Sequence, residues 1–313
     1  MSFDYYFTGI GFENVILREA FLSYSNSCLL LSQLNQRKDI YKWIEYFKNH
    51  PNDHHKLFID SGAFSAWTLG KEIDVEEYIT FINSYKDFIT VAAAVDNIPG
   101  IPRSSKLATP QEVRESANKT WENFLYMRSK MEDPSKLLYT YHVGEPLSYL
   151  ETALDYKDSF GYIDYIAIGG LVGKAEDIII SELSQIMEGL KKKKNPNLKI
   201  HLFGMTRLDL LERFSVTSAD STSFIMEGAY GNIRINKKLI PISQEGQLKN
   251  NNFSNLSLGL QQEILAYLQS LNVSLSQVQE SAEYRKRVNM HYYQSWANSY
   301  QPKKEIGIKK DLW

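Results

Sequence analysis

Short apolar runs alternate along this chain with longer amphipathic stretches, the pattern of repeated strand–helix units and a mainly parallel sheet. It predicts strands at Ser27–Ser32, Lys56–Ile59, Ile89–Val95, Leu137–His142, Tyr165–Ile168 and Lys199–Phe203, with a short one near Val216–Asp220. Helical periodicity falls between them, at Asp39–Lys48, Val75–Phe88, Thr109–Lys130, Pro146–Tyr156, Ala175–Lys192 and Arg207–Phe214. Asp74 is placed to cap the second of these helices, and Pro110 suits the first turn of the third. Seven strands separated by helices imply an α/β fold closed as a TIM (β/α)8 barrel, with candidates for the eighth strand in Asn232–Ile242. The polar stretch Gln244–Leu256 reads as a connecting loop. Leu258–Leu271, Ser274–Gln279 and Ser281–Tyr300 then form a helical C-terminal extension. The expected division is a barrel over 1–243 and an extension packed on it over 244–313.

Composition changes this picture little. A hydrophobic content of 43% is enough for a real core. No apolar run approaches the ~18 residues of a membrane helix, and the first residues, MSFDYYFTGIG, lack the layout of a signal peptide. A soluble cytoplasmic protein with no membrane partner is therefore expected. The single cysteine, Cys28, rules out an intrachain disulfide framework and any multi-cysteine zinc site; in the run Cys28-Leu29-Leu30-Leu31 it reads as a packing residue.

The formal net charge is −2, which does not favour a polyanionic partner. The stretch from Ser281 to Trp313 differs, with seven Lys/Arg against three acidic residues, a local +4. Its cations, among them Arg285, Lys286 and Arg287, are interleaved with Tyr284, Tyr292, Tyr293, Trp296, Tyr300 and Trp313. That mixture suits phosphate contact and base stacking, and equally suits a solvated helix whose aromatics pack on the barrel. The Lys191–Lys194 run reads as a helix end, where cations meet the negative end of the dipole.

The strand ends carry residues that a packed core would not choose: Asp60-Ser61-Gly62, Asp96-Asn97, His142-Val143-Gly144, Gly169-Gly170-Leu171, Phe203-Gly204-Met205 and Asp220-Ser221-Thr222. Barrel active sites are assembled at this C-terminal face from several strands. A single Asp there can be no more than a helix cap, a Gly-Gly pair no more than a tight turn, and a lone His no more than hydrogen-bonded filler. Three Asp at three strand ends exceed what capping requires. Asp220 is the least cap-like, since Ser221-Thr222-Ser223-Phe224 does not read as a helix start. The pattern points to an enzyme without naming its chemistry. Two carboxylates facing a sugar carbon would suit glycosyl transfer, one attacking the anomeric carbon and the other handling protons.

These segments, in this order, resemble the tRNA-guanine transglycosylase superfamily. Asp60-Ser61-Gly62-Ala63-Phe64 resembles its Asp-Ser-Gly-Gly-Phe-Gln turn, and Val95-Asp96-Asn97-Ile98-Pro99 its Asp-Glu-x-x-Pro segment. Ala167-Ile168-Gly169-Gly170-Leu171 is similar to its Ala-Ile-Gly-Gly-Leu. His201-Leu202-Phe203-Gly204-Met205, Asp209-Leu210-Leu211 and Ser218-Ala219-Asp220 follow its Leu-Met-Gly-Val-Gly, Asp-Leu-Leu and Asp-x-Phe-Asp run. The resemblance spans about Phe58 to Thr222. It departs from the tRNA enzymes where Ala63 and Ser65 replace Gly and Gln, and where one cysteine cannot build their zinc site. Those departures, and the Ser-x-Asp-Ser-Thr run around Asp220, resemble the phage- and island-encoded branch that inserts 7-deazaguanines into DNA.

The resemblance implies a pentosyltransferase that exchanges guanine in DNA for a base such as preQ0, needing no metal or cofactor, in the host cytoplasm if phage-encoded. Asp220 would attack C1′ and displace guanine, and Asp60 would assist proton transfer beside the ribose. Asp96 would accept hydrogen bonds from N1–H and the exocyclic amine, with His142 where the family has a base-contacting Gln. Gly169, Gly170, Leu171 and Gly204 would border the base, and Phe64 and Phe203 would sandwich it. One carboxylate matches guanine's two adjacent donors, and leaving it unpaired would reject other bases. Arg103 and Lys106, with Arg285, Lys286 and Arg287, are candidates to grip the backbone of a nucleic acid whose target nucleotide is flipped out. Family members often dimerise, although no surface in the sequence marks a dimer face. Exchange into tRNA, a non-catalytic nucleic-acid-binding subunit, and cleavage of a free nucleoside are the competing readings.

Overall fold

The computed structural model describes residues 3–102, 107–192, 197–205, 207–245 and 253–301. The chain opens with strand β1 (Asp4–Thr8) and helix α1 (Val15–Leu22), then β2 (Cys28–Ser32) and α2 (Arg37–Asn49). β3 (Lys56–Asp60) leads into a short α3 (Ala63–Leu69) and α4 (Val75–Ser84), and β4 (Val91–Ala93) into α5 (Pro110–Lys130). β5 (Leu137–His142) and α6 (Leu147–Asp155) are followed by a small antiparallel pair, β6 (Lys157–Asp158) and β7 (Gly161–Tyr162). β8 (Tyr165–Gly169), α7 (Glu176–Lys192), β9 (Lys199–Leu202), α8 (Leu208–Arg213), β10 (Ser218–Ser221) and α9 (Ser223–Ala229) complete the repeat.

Eight parallel strands close in the order β1-β10-β9-β8-β5-β4-β3-β2, which is the TIM-barrel arrangement. The eighth strand is β1, at the other end of the chain from the expected segment. Its sequence, Asp4-Tyr5-Tyr6-Phe7-Thr8, pairs with β10 on one side and β2 on the other. The expected strand within Asn232–Ile242 is instead a hairpin outside the barrel, β11 (Asn232–Ile235) and β12 (Lys238–Pro241). The physical reason is visible in its pattern. Ile233, Ile235, Ile240 and Ile242 are buried while Arg234 is half-buried and Lys238, Leu239 and Pro241 are exposed, so only one face seeks a core. Barrel strands are buried on both faces and read as continuous apolar runs. Asn236 and Lys237, at φ 45° and 65°, make the two-residue turn that matches hairpin twist.

Strand parity sorts the barrel's side chains into two layers. Leu29, Leu31, Leu57, Ile59, Ile166 and Ile168 face outward into the main core beneath the helices. Tyr6, Cys28, Leu30, Phe58, Val91, Ala93, Leu138, Tyr165 and Ala167 fill the interior. Cys28 is accordingly a buried packing residue. Local signals placed several helices as expected: Asp74 Oδ1 accepts from the Glu77 amide, and Thr109 with Glu112 forms a reciprocal cap before Pro110.

The extension comprises α10 (Leu258–Ser270), α11 (Leu275–Glu280) and α12 (Ala282–Ser299). With the hairpin it builds a separate apolar cluster around Ile233, Ile264, Val278 and Val288, so the compositional boundary at 243 falls inside one packed unit. α12 serves both sides. Val288 faces that cluster, while Met290, Tyr293, Trp296 and Ala297 join the barrel's outer core. Tyr293 stacks on Tyr5 at 5.1 Å and Trp296 packs edge-on against Phe3 at 5.2 Å.

Candidate active site at the barrel mouth

The parity that puts Phe58 in the barrel interior also sends Asp60, two residues on, to its upper rim. On the same grounds Thr140 and His142 follow Leu138 on β5, and Asp220 follows Ser218 on β10. Asp60 Oδ2 accepts from the Gly62 amide at 3.1 Å. Burial raises its carboxyl to about 7, reinforced by the charges of Asp96 and Asp220 and partly offset by the Gly62 and Ser61 amides. Three strand-end carboxylates therefore share one mouth, close enough for two to perturb the third.

Asp220 is the best anchored of the three. The Gly204 amide donates to its Oδ1 at 2.8 Å, and His201 Nε2 lies 3.2 Å from the same atom. No hydrogen bond among the described residues reaches Oδ2. Gly204 makes this contact from φ +63°, and a Cβ there would fall 2.4 Å from Val172 Cγ2, so glycine is favoured at the turn. Its N–H is thus committed to the Asp220 carboxylate.

His201 was not among the expected site residues. It is fully buried, edge-on to Phe203 at 4.7 Å and Phe58 at 5.0 Å, with Tyr6 at 5.9 Å. Its Nδ1 meets Ser218 Oγ at 2.8 Å, and Ser218 Oγ meets the Tyr165 hydroxyl at 2.8 Å. With Tyr165 donating to Ser218 and Ser218 to Nδ1, the imidazole presents Nε2–H to Asp220. A chain from the barrel interior thus orients the carboxylate. Its sequence signal was parity: His201 and Ser218 are polar residues at inward positions of β9 and β10.

Asp96 stands just beyond β4, on backbone held by α5. Asn97 donates its amide to Thr120 Oγ1 at 2.9 Å, and Asn123 Nδ2 donates to the Val95 carbonyl at 2.9 Å. His142 Nε2 lies 2.8 Å from Asp96 Oδ2, and Nδ1 lies 3.0 Å from Glu145 Oε1. Burial alone would lower the His142 pKa, but its bonds to Asp96 and Glu145 carry it up to about 10, so the ring is an imidazolium at neutral pH. Glu145 was also missed. Gly144, at φ +104°, turns the chain so that the Glu145 amide donates to the His142 carbonyl at 3.0 Å and its carboxylate returns to the ring. A glycine after a strand-end histidine, with an acid three residues on, was the available signal.

The remaining expected residues divide. Gly169 is buried at the end of β8 and Gly170 is exposed. Leu171 turns its side chain into the outer core, and its carbonyl accepts from the Lys174 amide at 3.3 Å. Phe203 is half-buried over the His201 ring. Phe64, in the first turn of α3, is 68% exposed, so its face is available. Arg103 and Lys106 lie outside the described residues. Arg285 cannot touch a nucleic-acid backbone: it is 1% exposed, and its guanidinium binds the carbonyls of Gly228 and Val278 and the Glu245 carboxylate. Lys286 pairs with Glu283, and Arg287 donates to the Leu271 carbonyl. Tyr293, Trp296 and Tyr300 are buried as packing aromatics, the second of the two roles open to the tail.

Thr8 Oγ1, Ser32 Oγ and Thr140 Oγ1, all inside the upper barrel, are buried without a hydrogen-bond partner among the described residues. Such atoms call for an explanation. Among the described residues no group of three or more His, Cys, Asp or Glu is arranged to hold a metal ion, and no helix is long and apolar enough to cross a membrane.

No protein-family model and no curated protein matches this sequence. A solved structure described as "Native KDPGal structure" aligns over 87% of this chain and 95% of its own, at 9% identity and a TM-score of 0.39. Likeness at that level carries no argument about the site, and the fold rests on the closed strand order itself.

Proposed function

We propose that this protein is a base-exchange glycosyltransferase that replaces guanine in DNA with a 7-deazaguanine through a covalent Asp220–sugar intermediate. The observation that carries this reading is the pairing of two unlike carboxyls in one mouth. Asp220 is held by one oxygen, with the other free of hydrogen bonds among the described residues, while Asp60 is raised to about 7. A nucleophile and a group able to hold a proton at neutral pH are what double displacement at a sugar carbon needs.

In the first step Asp220 Oδ2 attacks C1′ and the C1′–N9 bond breaks. The bonding pair leaves with guanine, and the departing base takes a proton from Asp60. The incoming base then returns a proton to Asp60 as its N9 attacks C1′. The C1′–O bond breaks, Asp220 is restored, and two inversions give net retention. Asp96 accepts from the Watson–Crick edge, and Phe203 with the exposed Phe64 offers rings for stacking. Ser32 on β2, beside β3, and Thr8 on β1, between β2 and β10, carry hydroxyls without a hydrogen-bond partner among the described residues, which suit the polar edge of a nucleotide. The target nucleotide must leave its stack to reach this depth, at a cost of a few kcal/mol recovered in the pocket.

The nucleophile has a direct test. Incubation with DNA and denaturing electrophoresis should trap a protein–DNA adduct with the wild type and none with Asp220→Asn, whose fold is checked by circular dichroism. An adduct that survives in Asp220→Asn moves the nucleophile to Asp60.

A further inference from the structure

Gly169 has no conformational need to be glycine, since its φ lies outside the left-handed region. The obstacle to a side chain is one neighbour. A Cβ at Gly169 would lie 2.9 Å from Cδ2 and 3.4 Å from Nε2 of the His142 ring, with Thr140 Cγ2 at 3.6 Å. The ring has little freedom to yield, because its two nitrogens are tied to Glu145 and Asp96.

Glu145 is itself fixed. It is only 6% exposed, its carbonyl accepts from the Tyr141 hydroxyl at 2.6 Å, and its Oε2 is buried without a hydrogen-bond partner among the described residues. A buried carboxylate with one unmet oxygen is costly to keep for packing alone. Facing it across the ring is Asp96, with Asp60 beyond, so the imidazolium is the positive charge among these carboxylates.

We propose that Glu145 and Gly169 are positioning residues for the base pocket: Glu145 anchors the His142 ring, Gly169 leaves room for it, and together they fix the carboxylate that Asp96 presents. The bearing on base recognition rests on the reading of Asp96 as the acceptor for the base edge. With His142 tied to Oδ2, Asp96 keeps Oδ1 free of hydrogen bonds among the described residues, and its rotation about the Cβ–Cγ bond is arrested. Gly169 thereby gains a role different from bordering the base.

Two measurements separate the seat from the reaction. Ring-nitrogen spectra of 15N-histidine protein, with His142 assigned by His142→Ala, should show both nitrogens protonated in the wild type at neutral pH and up to about 10. Glu145→Gln should move that titration lower, and Gly169→Ala should shift the Nε2 signal. Equilibrium dialysis with labelled guanine should show binding weakened about tenfold or more in each variant. In a His142→Ala background, Gly169→Ala should add no further loss. Thermal melts establish that each variant is folded. An unchanged His142 titration in Glu145→Gln overturns the proposal, as does an equal loss from Gly169→Ala without the ring. If the wild type binds no guanine, the proposed function fails, and the ring spectra alone decide the seat.

Discussion

Asp60 stands near the midpoint of its titration at neutral pH, since burial and the charges of Asp96 and Asp220 hold it at about 7. A carboxyl in that condition can give and take a proton within one turnover. The same shift opposes stability. Between about pH 4 and 7 the folded protein keeps a proton that the unfolded chain releases, so stability falls as pH rises through that window. Asp60→Asn removes the effect. Its melting midpoint should exceed the wild type by roughly 2–6 °C at pH 8 and differ little at pH 4. Equal shifts at both pH values would contradict the raised carboxyl. His142 acts in a later window: its stabilising proton is fully in place below about 6.5 and lost as pH climbs through about 10. Asp60, Asp96, His142 and Asp220 were legible in the sequence because charged groups at strand ends are poor core residues. Glu145 and His201 were not. Each acts through another side chain, and only the turn at Gly144 or the inward parity of β9 brings it there.

At the scale of elements, β10 is held from behind. α9 follows it directly and crosses α12 so closely that a Cβ on Gly228 would sit 2.7 Å from the Lys286 backbone nitrogen. Arg285 donates to the Gly228 carbonyl at 2.8 Å, and Asn289 Nδ2 to the Asn232 carbonyl at 3.1 Å, tying α12 to α9 and the hairpin. Because the clash is with backbone, Gly228→Ala should separate the two helices and cost about 1–3 kcal/mol, read as a lower denaturation midpoint. An unchanged midpoint would show that the crossing can relax. α9 escaped sequence reading because its start is weak: Thr222 makes no side-chain cap, and Ser221 Oγ accepts from the Ser223 amide instead. β1 was missed as a five-residue aromatic run near the N-terminus, where periodicity has too few residues to speak. The tail aromatics had two readings because stacking platforms and packing anchors have the same composition; contact with Phe3 and Tyr5 decides for packing.

For the whole molecule the electrostatic question is how a chain of net charge −2, with carboxylates at its mouth, would admit a polyanion. Local cations must do the steering. Arg285 is spent inside the fold, and Lys286 and Arg287 are engaged locally. The cations left to that task include Arg103, Lys106 and Lys303, Lys304, Lys309 and Lys310, which lie outside the described residues. The barrel was readable because strands such as β2, β3, β5 and β8 carry apolar runs at regular spacing between helices, whereas partner choice is a property of surfaces that composition barely constrains. The most direct measurement is therefore exchange itself: purified protein with labelled guanine or a 7-deazaguanine, offered duplex DNA, single-stranded DNA and tRNA in parallel. The expected result is label entering DNA and not tRNA, lost in Asp220→Asn. Label entering tRNA alone would contradict the DNA assignment, and no label in any of the three would contradict the transglycosylase reading.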